Sequence, residues 1–554
     1  MFDRHLTVWP QNFPLHLPLP ETDVYQNLAI SAQRYPQRAA IVYYDTVITY
    51  AQLKAEVDAL AGFLMAEGVA LGDRVLLYLQ NSPQFIIGFF AVLRANAVVV
   101  PMNPMNKSAE LDHYIADTGA KVALVGQEVY AEIQPKIGHH ALATVLVTAY
   151  NEYIKQPTEL ALPEAVAARL ENVKGPGVVA WRDAIAANKT PGALMVGPDD
   201  WAVFPYSSGT TGAPKGCIHT HRSVMATAMQ GQVWRHVSAG SVVLGTLPMF
   251  HVTGMQSSMA NTLSAGATFV LMTRWDREVA LELIERYRVT HWVNIVTMAI
   301  DLLSSADIQQ RDLSSLQVIG GGGAAMPEAI SDKLFTLTGL RYVEGYGLSE
   351  TMAATHLNPV HRTKPQCLGI PMFDVDARIY DAESEALLDE HTTGEIIVRG
   401  PQVFQGYWNL PEETAEAFIE VEGKRFFRTG DMGYYDEEGY FFIVDRLKRM
   451  VNASGFKVWP AEVEGLLHSH PDVQQACVIS TPHERRGESV KACIILHPSS
   501  RGKVTQEAIQ TWCREHMAAY KVPQVVEFME AFPISPTGKV LWRVLQEQEW
   551  QQHH

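Results

Sequence analysis

The sequence predicts an α/β fold: a large N-terminal part of layered α/β subdomains with a β-rich subdomain, followed by a small α+β C-terminal part. Three observations carry this. From residue 39 to about 360, short β-branched runs alternate with segments of helical periodicity, the rhythm of parallel α/β layers. From 375 to 444, short alternating runs such as 376–380 and 395–398 are separated by Gly, Pro and Asp turns. From 445 onward helix and strand signals mix over the length of one small domain. At 554 residues the chain is also too long for a single hydrophobic core, since domains run to about 150 residues.

The elements follow in order. Residues 39–44 are β-branched and aromatic. Thr49-Tyr-Ala-Gln52 has the form of a capping box, after which Leu53, Val57, Leu60, Ala61 and Leu64 share a helical face and Gly68 closes the helix. Residues 73–79 read as a strand, 85–93 as a buried helix and 98–101 as a buried strand, and 122–125 and 144–147 continue the alternation. The stretch 151–197 is less regular and has the look of an insertion. A second α/β series begins at Trp201.

Composition bounds the function. A formal charge of −16 makes the chain a poor general binder of nucleic acid or anionic membrane. With 47% hydrophobic and 19% charged residues it reads as globular rather than disordered. The five cysteines are scattered without a C-x-x-C, which argues against a disulfide framework or a zinc site and for a reducing cytoplasm. Residues 1–25 lack the basic and apolar regions of a signal peptide. The most apolar run, 85–93, is far short of the ~20 residues that span a bilayer, although peripheral membrane contact is compatible with the sequence.

The sharpest motif is Tyr206-Ser-Ser-Gly-Thr-Thr-Gly-Ala-Pro-Lys215-Gly216. Ser207, Ser208, Thr210 and Thr211 supply hydroxyl donors, Gly209 and Gly212 let the backbone approach a ligand, and Lys215 adds a point charge. That set suits a polyphosphate. It is not a Walker A loop, because Pro214 precedes Lys215 and Gly216 follows it. Gly320-Gly-Gly-Gly-Ala-Ala-Met-Pro327 follows a strand-like run. A dinucleotide fingerprint, close approach to a flat ring or acyl group, and plain strand-to-helix packing all fit it. Gly345-Tyr-Gly-Leu-Ser-Glu350-Thr351 places a carboxylate where Mg²⁺ would need one beside phosphates. Asp431, in Arg428-Thr-Gly-Asp, can accept from ribose hydroxyls. Asp445-Arg-Leu-Lys-Arg449 is cationic, and Lys539 lies in a Pro/Gly loop. His251, in Pro248-Met-Phe-His-Val-Thr-Gly254, has the setting of a core histidine. His219 and His221 lack a third ligand at metal-site spacing.

Taken together these segments, in this order, resemble the adenylate-forming superfamily: acyl- and aryl-CoA synthetases, firefly-type luciferases and peptide-synthetase adenylation domains. The resemblance runs from about Tyr25 to Leu545 and is most marked toward fatty-acid-CoA ligases around Val451–Glu464. It implies an adenylation domain over 1–444, a mobile C-terminal domain over 445–554 and a hinge near 448. It also implies ATP, Mg²⁺ and CoA as cofactor and co-substrates, and two half-reactions. A carboxylate first attacks the α-phosphate of ATP, giving acyl-adenylate and pyrophosphate; a thiol then takes the acyl group and releases AMP.

By the same resemblance, Ser207, Ser208, Gly209, Thr210, Thr211, Gly212 and Lys215 would hold the β- and γ-phosphates. Gly322, Gly323, Ala324, Tyr346 and Gly347 would wall the adenine and acyl carbonyl. Thr351 would contact the α-phosphate, Glu350 the Mg²⁺, and Asp431 the ribose, with Arg446 close by. Lys448 matches the hinge, and Lys539 the lysine bridging carboxylate and α-phosphate. Gly455 and Lys457 lie in the loop that enters for thioester formation, and His251 matches the gate of the acyl pocket.

Amino-acid-activating members carry an Asp in the segment equivalent to 250–254; this chain has none there, and a buried unpaired ammonium is costly. The expected substrate is therefore a medium- to long-chain fatty acid, with an aryl or arylalkanoyl acid, or transfer to a carrier protein, as alternatives. Residues 290–303 either line an apolar acyl tunnel or are ordinary core.

Overall fold

The computed structural model describes residues 1–171, 173–207, 213–323, 325–453, 456–483, 487–534 and 540–552, with the backbone only at 448, 456 and 457. The chain divides into two compact units. The first comprises Met1–Ala377, Val398–Phe427 and Glu438–Tyr440; the second comprises Arg378–Ile397, Arg428–Glu437 and Phe441–His554.

The first unit is built on two sheets. One has seven strands in the order His219–Thr220, Trp201–Val203, Val98–Pro101, Arg74–Tyr78, Val122–Gly126, Thr144–Thr148, Val178–Ala180, parallel except at the His219–Thr220 edge. Its pleat sorts side chains into two cores. Val75 and Leu77 face the core shared with the second sheet, while Leu76 and Tyr78 face Leu111 and Ile115 on the opposite side. Helix Pro83–Arg94 is buried at every position from Pro83 to Leu93, because it is packed on all sides rather than on one stripe. Ser82 caps it and Pro83 starts it.

The second sheet has nine strands, with a parallel centre formed by Thr268–Leu271, Val242–Gly245, His291–Asn294, Val318–Gly322 and Val343–Leu348. The predicted strand at 39–44 is present as Ala39–Tyr43, and it joins this second sheet beside Thr268–Leu271. The capping box predicted at Thr49 is formed with Gln52, and helix Tyr50–Ala66 ends ahead of the left-handed Gly68. The stretch 151–197 is irregular as expected, apart from short helices and the strand Val178–Ala180, which completes the edge of the first sheet. In the 290–303 segment, Val296, Ala299, Leu302 and Leu303 belong to the main core, so core packing accounts for them. Phe2, His5, Trp9 and Phe13 near the N-terminus form an aromatic cluster with Trp234 and Phe373. No helix among the described residues is long and apolar enough to cross a membrane.

In the second unit, residues 431–435 pair antiparallel with Phe441–Arg446. Strands Val473–His483 and Gly487–Leu496 pair antiparallel in a five-stranded sheet, the first at its edge and the second flanked by it on one side and by Val451–Ala453 and Val525–Phe528 on the other. Its alternation is plain. Val478, Val490, Ala492 and Ile494 face helices Pro460–Leu467 and Gln506–His516, whereas Cys477, Ile479, Cys493 and Ile495 face Phe532 and Leu545.

Candidate functional site

The site is assembled from the ends of the predicted polyphosphate loop. Ser207 and Lys215 lie directly opposite each other on a two-stranded antiparallel ribbon. The base of that loop is tied down on both sides. Tyr206 donates from its hydroxyl to Asp117 at 2.5 Å, and the Pro214 carbonyl lies 2.7 Å from His113 Nε2. Lys215 is about four-fifths buried. Its ammonium lies 5.2 Å from the centre of the Tyr407 ring and 3.8 Å from the Glu413 carboxylate, the loose edge of ion-pair range. Cys217 is fully buried and burial pushes its thiol well above the usual range, so it is a small core residue and not a nucleophile.

Glu350 and Thr351 occupy a single 3-10 turn, Ser349–Thr351, at the end of strand Val343–Leu348. His219 holds that turn: its Nε2 lies 2.7 Å from the Ser349 carbonyl and its Nδ1 3.1 Å from Ser223 Oγ. Burial lowers the His219 pKa to about 4, so at neutral pH it is an uncharged tether with both nitrogens engaged. The Thr351 hydroxyl accepts from the Leu348 amide at 2.9 Å and donates to the Ala353 carbonyl at 2.7 Å. Immediately after it, Met352 and Ala353 have φ of 48° and 90°, a left-handed pair that costs energy in non-glycine residues and that the surrounding bonds hold in place. Gly347 is required here, since a Cβ on it would lie 1.7 Å from the Ala353 carbonyl oxygen.

The Glu350 carboxylate accepts a hydrogen bond of 3.0 Å from the Tyr407 hydroxyl, and its backbone carbonyl accepts from the Phe404 amide at 2.8 Å. Among the described residues no group of three or more His, Cys, Asp or Glu is placed to hold a metal ion. One carboxylate beside a phosphate loop fits Mg²⁺ all the same. That cation binds through one or two carboxylates and substrate phosphates and keeps its waters, with no protein cage.

The first three glycines of the run at 320–323 are explained by packing. Cβ atoms on Gly320, Gly321 and Gly322 would meet the carbonyl oxygens of Val343, Asn294 and Gly345 at 2.4, 1.8 and 2.4 Å. Gly323 alone takes a positive φ, of 91°. Beneath the turn that follows, Glu344 accepts from the amides of Met326 and Gln366 at 3.2 and 2.9 Å, and burial raises its pKa to about 7. Tyr346 packs against His356 with ring centres 5.7 Å apart. His251 is half-buried and its Nδ1 faces the Thr253 amide at 3.4 Å; directly after it the chain forms a π-helix, Thr253–Ala260, a form that recurs at functional sites.

In the second unit Asp431 and Arg446 are cross-strand partners, with Arg446 Nε 2.9 Å from a carboxylate that is almost wholly buried. The turn that carries Asp431 is bound to Glu395, which accepts from Arg428 at 2.7 Å and from the Gly430 amide at 3.0 Å. Asp445 accepts from the amides of Arg446 and Ala461, each at 2.6 Å, and so joins the 445–449 run to the start of helix Pro460–Leu467.

The structure thus brings Ser207, Lys215, Glu350 and Thr351 to adjoining turns of the first unit, and Asp431 and Arg446 together in the second. Ser208, Gly209, Thr210, Thr211, Gly212, Ala324, Gly455 and Lys539 lie outside the described residues, as do the side chains of Lys448 and Lys457. Sequence reasoning missed Tyr407, Asp117, His113 and Glu344. Each acts through a long-range contact, and no local signal marked any of them.

The comparisons with known proteins agree with this geometry. A family model described as AMP-binding enzyme matches residues 28–408, and one described as AMP-binding enzyme C-terminal domain matches residues 462–539. A long-chain-fatty-acid–CoA ligase of Bacillus subtilis is 35% identical over 99% of this chain and 98% of its own. A feruloyl-CoA synthase of an Amycolatopsis species is 33% identical over 92% of this chain and 96% of its own. Among solved structures, ATP-bound MatB from Rhodopseudomonas palustris superposes with a TM-score of 0.85 at 26% identity, covering 97% of this chain and all of that one. Enzymes of this kind use ATP, Mg²⁺ and CoA. The loop of Ser207 and Lys215, the turn of Glu350 and Thr351 and the pair of Asp431 and Arg446 therefore belong to a member of the AMP-binding, adenylate-forming enzyme family, an AMP-forming acid–thiol ligase.

Proposed function

We propose that this ligase activates a medium- to long-chain fatty acid and passes the acyl group to CoA. The observation that carries the substrate reading is that 248–259, around His251, contains no carboxylate. Such a segment favours an apolar acyl chain and would leave a substrate ammonium without a partner. The 35% identity to a long-chain-fatty-acid–CoA ligase supports the same reading. The second reading is an aryl or arylalkanoyl acid, favoured by the 33% identity to a feruloyl-CoA synthase.

In the reaction, one carboxylate oxygen of the acid forms a bond to the α-phosphorus of ATP while the bond to the bridging oxygen breaks, and pyrophosphate leaves. The CoA thiolate sulfur then attacks the acyl carbonyl and AMP leaves. The first step is chiefly positioning and charge neutralisation. In our reading Ser207 to Gly212 and Lys215 bind the β- and γ-phosphates, and Thr351 meets the α-phosphate by exchanging its bond to Ala353. Gly322, Gly323, Ala324, Tyr346 and Gly347 border adenine and acyl group, and His251 gates the acyl pocket. Glu350 orients toward Mg²⁺, which supplies charge neutralisation on the phosphates. Asp431 and Arg446 take the ribose. Lys539 bridges the two reactants, and the 445–554 domain turns about Lys448 so that Gly455 and Lys457 serve the second step. A cytoplasmic setting suits the five buried cysteines.

A pyrophosphate-release assay over acetate to palmitate, benzoate and cinnamate, with and without CoA, tests the substrate. Maximal turnover with the C8–C18 acids is expected, and preference for cinnamate would replace this reading by the aryl one. Lys539→Ala is expected to lower adenylate formation by ~10²–10³ while largely sparing thioester formation from supplied acyl-adenylate. Equal loss of both steps would remove Lys539 from its assigned role.

A further inference from the structure

We propose that Tyr407 is a positioning residue that sets the spacing between the Lys215 ammonium and the Glu350 carboxylate, the two opposite charges on which triphosphate and metal binding depend. The inference rests on the reading that these two groups face ATP and Mg²⁺.

Tyr407 is the one side chain seen to touch both charges among the described residues. Its hydroxyl donates to Glu350 at 3.0 Å and its ring face lies 5.2 Å from the Lys215 ammonium. The two contacts differ in kind. A phenol donor orients a carboxylate by bonding one of its oxygens. A ring face holds an ammonium through its quadrupole without cancelling the charge, so the charge stays available to an incoming anion. Among the described residues the carboxylate neighbour of Lys215 is the loosely placed Glu413, at 3.8 Å. The arrangement keeps the lysine and the glutamate close to the same group without requiring them to pair with each other.

The backbone makes Tyr407 a rigid spacer. The segment 405–408 is laced to the segment after Lys215: the Ile218 amide donates to Gly406, the Gln405 amide to Ile218 and the Trp408 amide to Gly216, at 2.9, 2.9 and 2.8 Å. Tyr407 stands opposite Cys217 in that bridge. Its own amide donates to Thr414 Oγ1 at 2.8 Å, and the Phe404 ring packs edge-on against it at 4.9 Å. The Phe404 amide meanwhile bonds the Glu350 carbonyl, so one short strap is tied to both halves of the site.

The test compares wild type, Tyr407→Phe, Tyr407→Leu and Lys215→Ala. Titration calorimetry measures binding of ATP with and without Mg²⁺, thermal unfolding controls for folding, and the Mg²⁺ dependence of pyrophosphate release gives a second readout. Tyr407→Phe keeps the ring and loses the hydroxyl. It is expected to raise the half-saturating Mg²⁺ about tenfold and to leave metal-free ATP binding within about twofold. Tyr407→Leu loses the ring as well and is expected to weaken metal-free ATP binding about threefold further. Because Phe is near-isosteric with Tyr, that variant decides the matter even if the Leu variant does not fold. Unchanged Mg²⁺ dependence in folded Tyr407→Phe overturns the proposal, and so does equal loss with and without metal. Failure of the underlying reading looks different: wild type would not bind ATP, or Lys215→Ala would bind it as well as wild type.

Discussion

Lys215 in the first unit and Lys491 in the second are both largely buried ammonium groups, and they are held in opposite ways. Lys491 is 8% exposed and lies 2.6 and 2.5 Å from the carboxylates of Glu527 and Glu549, with Glu549 also accepting from Thr481 at 2.6 Å. Burial alone would lower its pKa; the two carboxylates override that and raise it. Lys215 is 21% exposed, rests on an aromatic face and has its carboxylate neighbour at 3.8 Å. A charge with two close partners is satisfied and serves the scaffold, here by fastening helix Trp542–Gln552 to the hairpin strand Gly487–Leu496. A charge that is placed but only partly neutralised retains its attraction for an anion.

Three experiments press on that contrast. The largest effect is expected for Lys491→Ala, which leaves Glu549 buried without its main counter-charge and should cost about 3 kcal/mol or more, read from denaturant unfolding. An apolar pair, Lys491→Met with Glu549→Leu, should recover most of the loss. Failure to recover would mean that the pair does more than neutralise itself. Next comes Lys215→Ala. It should lower pyrophosphate release about 10²-fold, equivalent to about 2.7 kcal/mol, with the unfolding midpoint nearly unchanged. A stability loss as large as that of Lys491→Ala would erase the distinction between the two lysines.

The smallest effect per group concerns pH. Burial lowers His5, His219 and His221 to about 4 and His356 to about 3, all in the first unit. A histidine whose folded pKa lies below its unfolded value of about 6.5 contributes stability that is full above that pH. The contribution falls as the unfolded state takes up protons, by at most about 1.4 kcal/mol per pH unit for each group. Protection factors, taken against the intrinsic exchange rate at each pH, should therefore fall in 219–221 and 353–357 as pH drops from 6.5 toward 4. The strands 473–483 and 487–496, anchored by the ion pairs of Lys491, should hold until the carboxylates of Glu527 and Glu549 protonate. Glu344 works in the other sense: its pKa of about 7 means that its contribution declines as pH rises from about 4.5 to 7. Simultaneous loss of protection in both regions would show that ion pairing does not set the order.

Local order was legible wherever the signal is local. The capping box at Thr49 and Gln52, the apolar helix read at 85–93 and the strands read at 98–101 and 122–125 follow from neighbouring residues alone. Sheet membership was not legible. Ala39–Tyr43 precedes the seven-stranded sheet in the chain yet pairs with Thr268–Leu271 in the other one, a choice made by burial across more than two hundred residues. The motif residues Lys215, Glu350, Thr351 and Asp431 were visible because their chemistry comes with an unusual local composition. Tyr407 was not, because a tyrosine in a turn announces nothing until its hydroxyl and its ring find partners far away in sequence.

By itself, then, the sequence determined the order of the motifs, the family and the class of chemistry, since hydroxyls, glycines and a lysine in one loop restrict what can be bound. Only the tertiary structure decided which charges are spent on the scaffold and which are kept for a ligand. That distinction depends on distances between side chains remote in the chain, and Lys215 and Lys491 are the same residue until their neighbours are known.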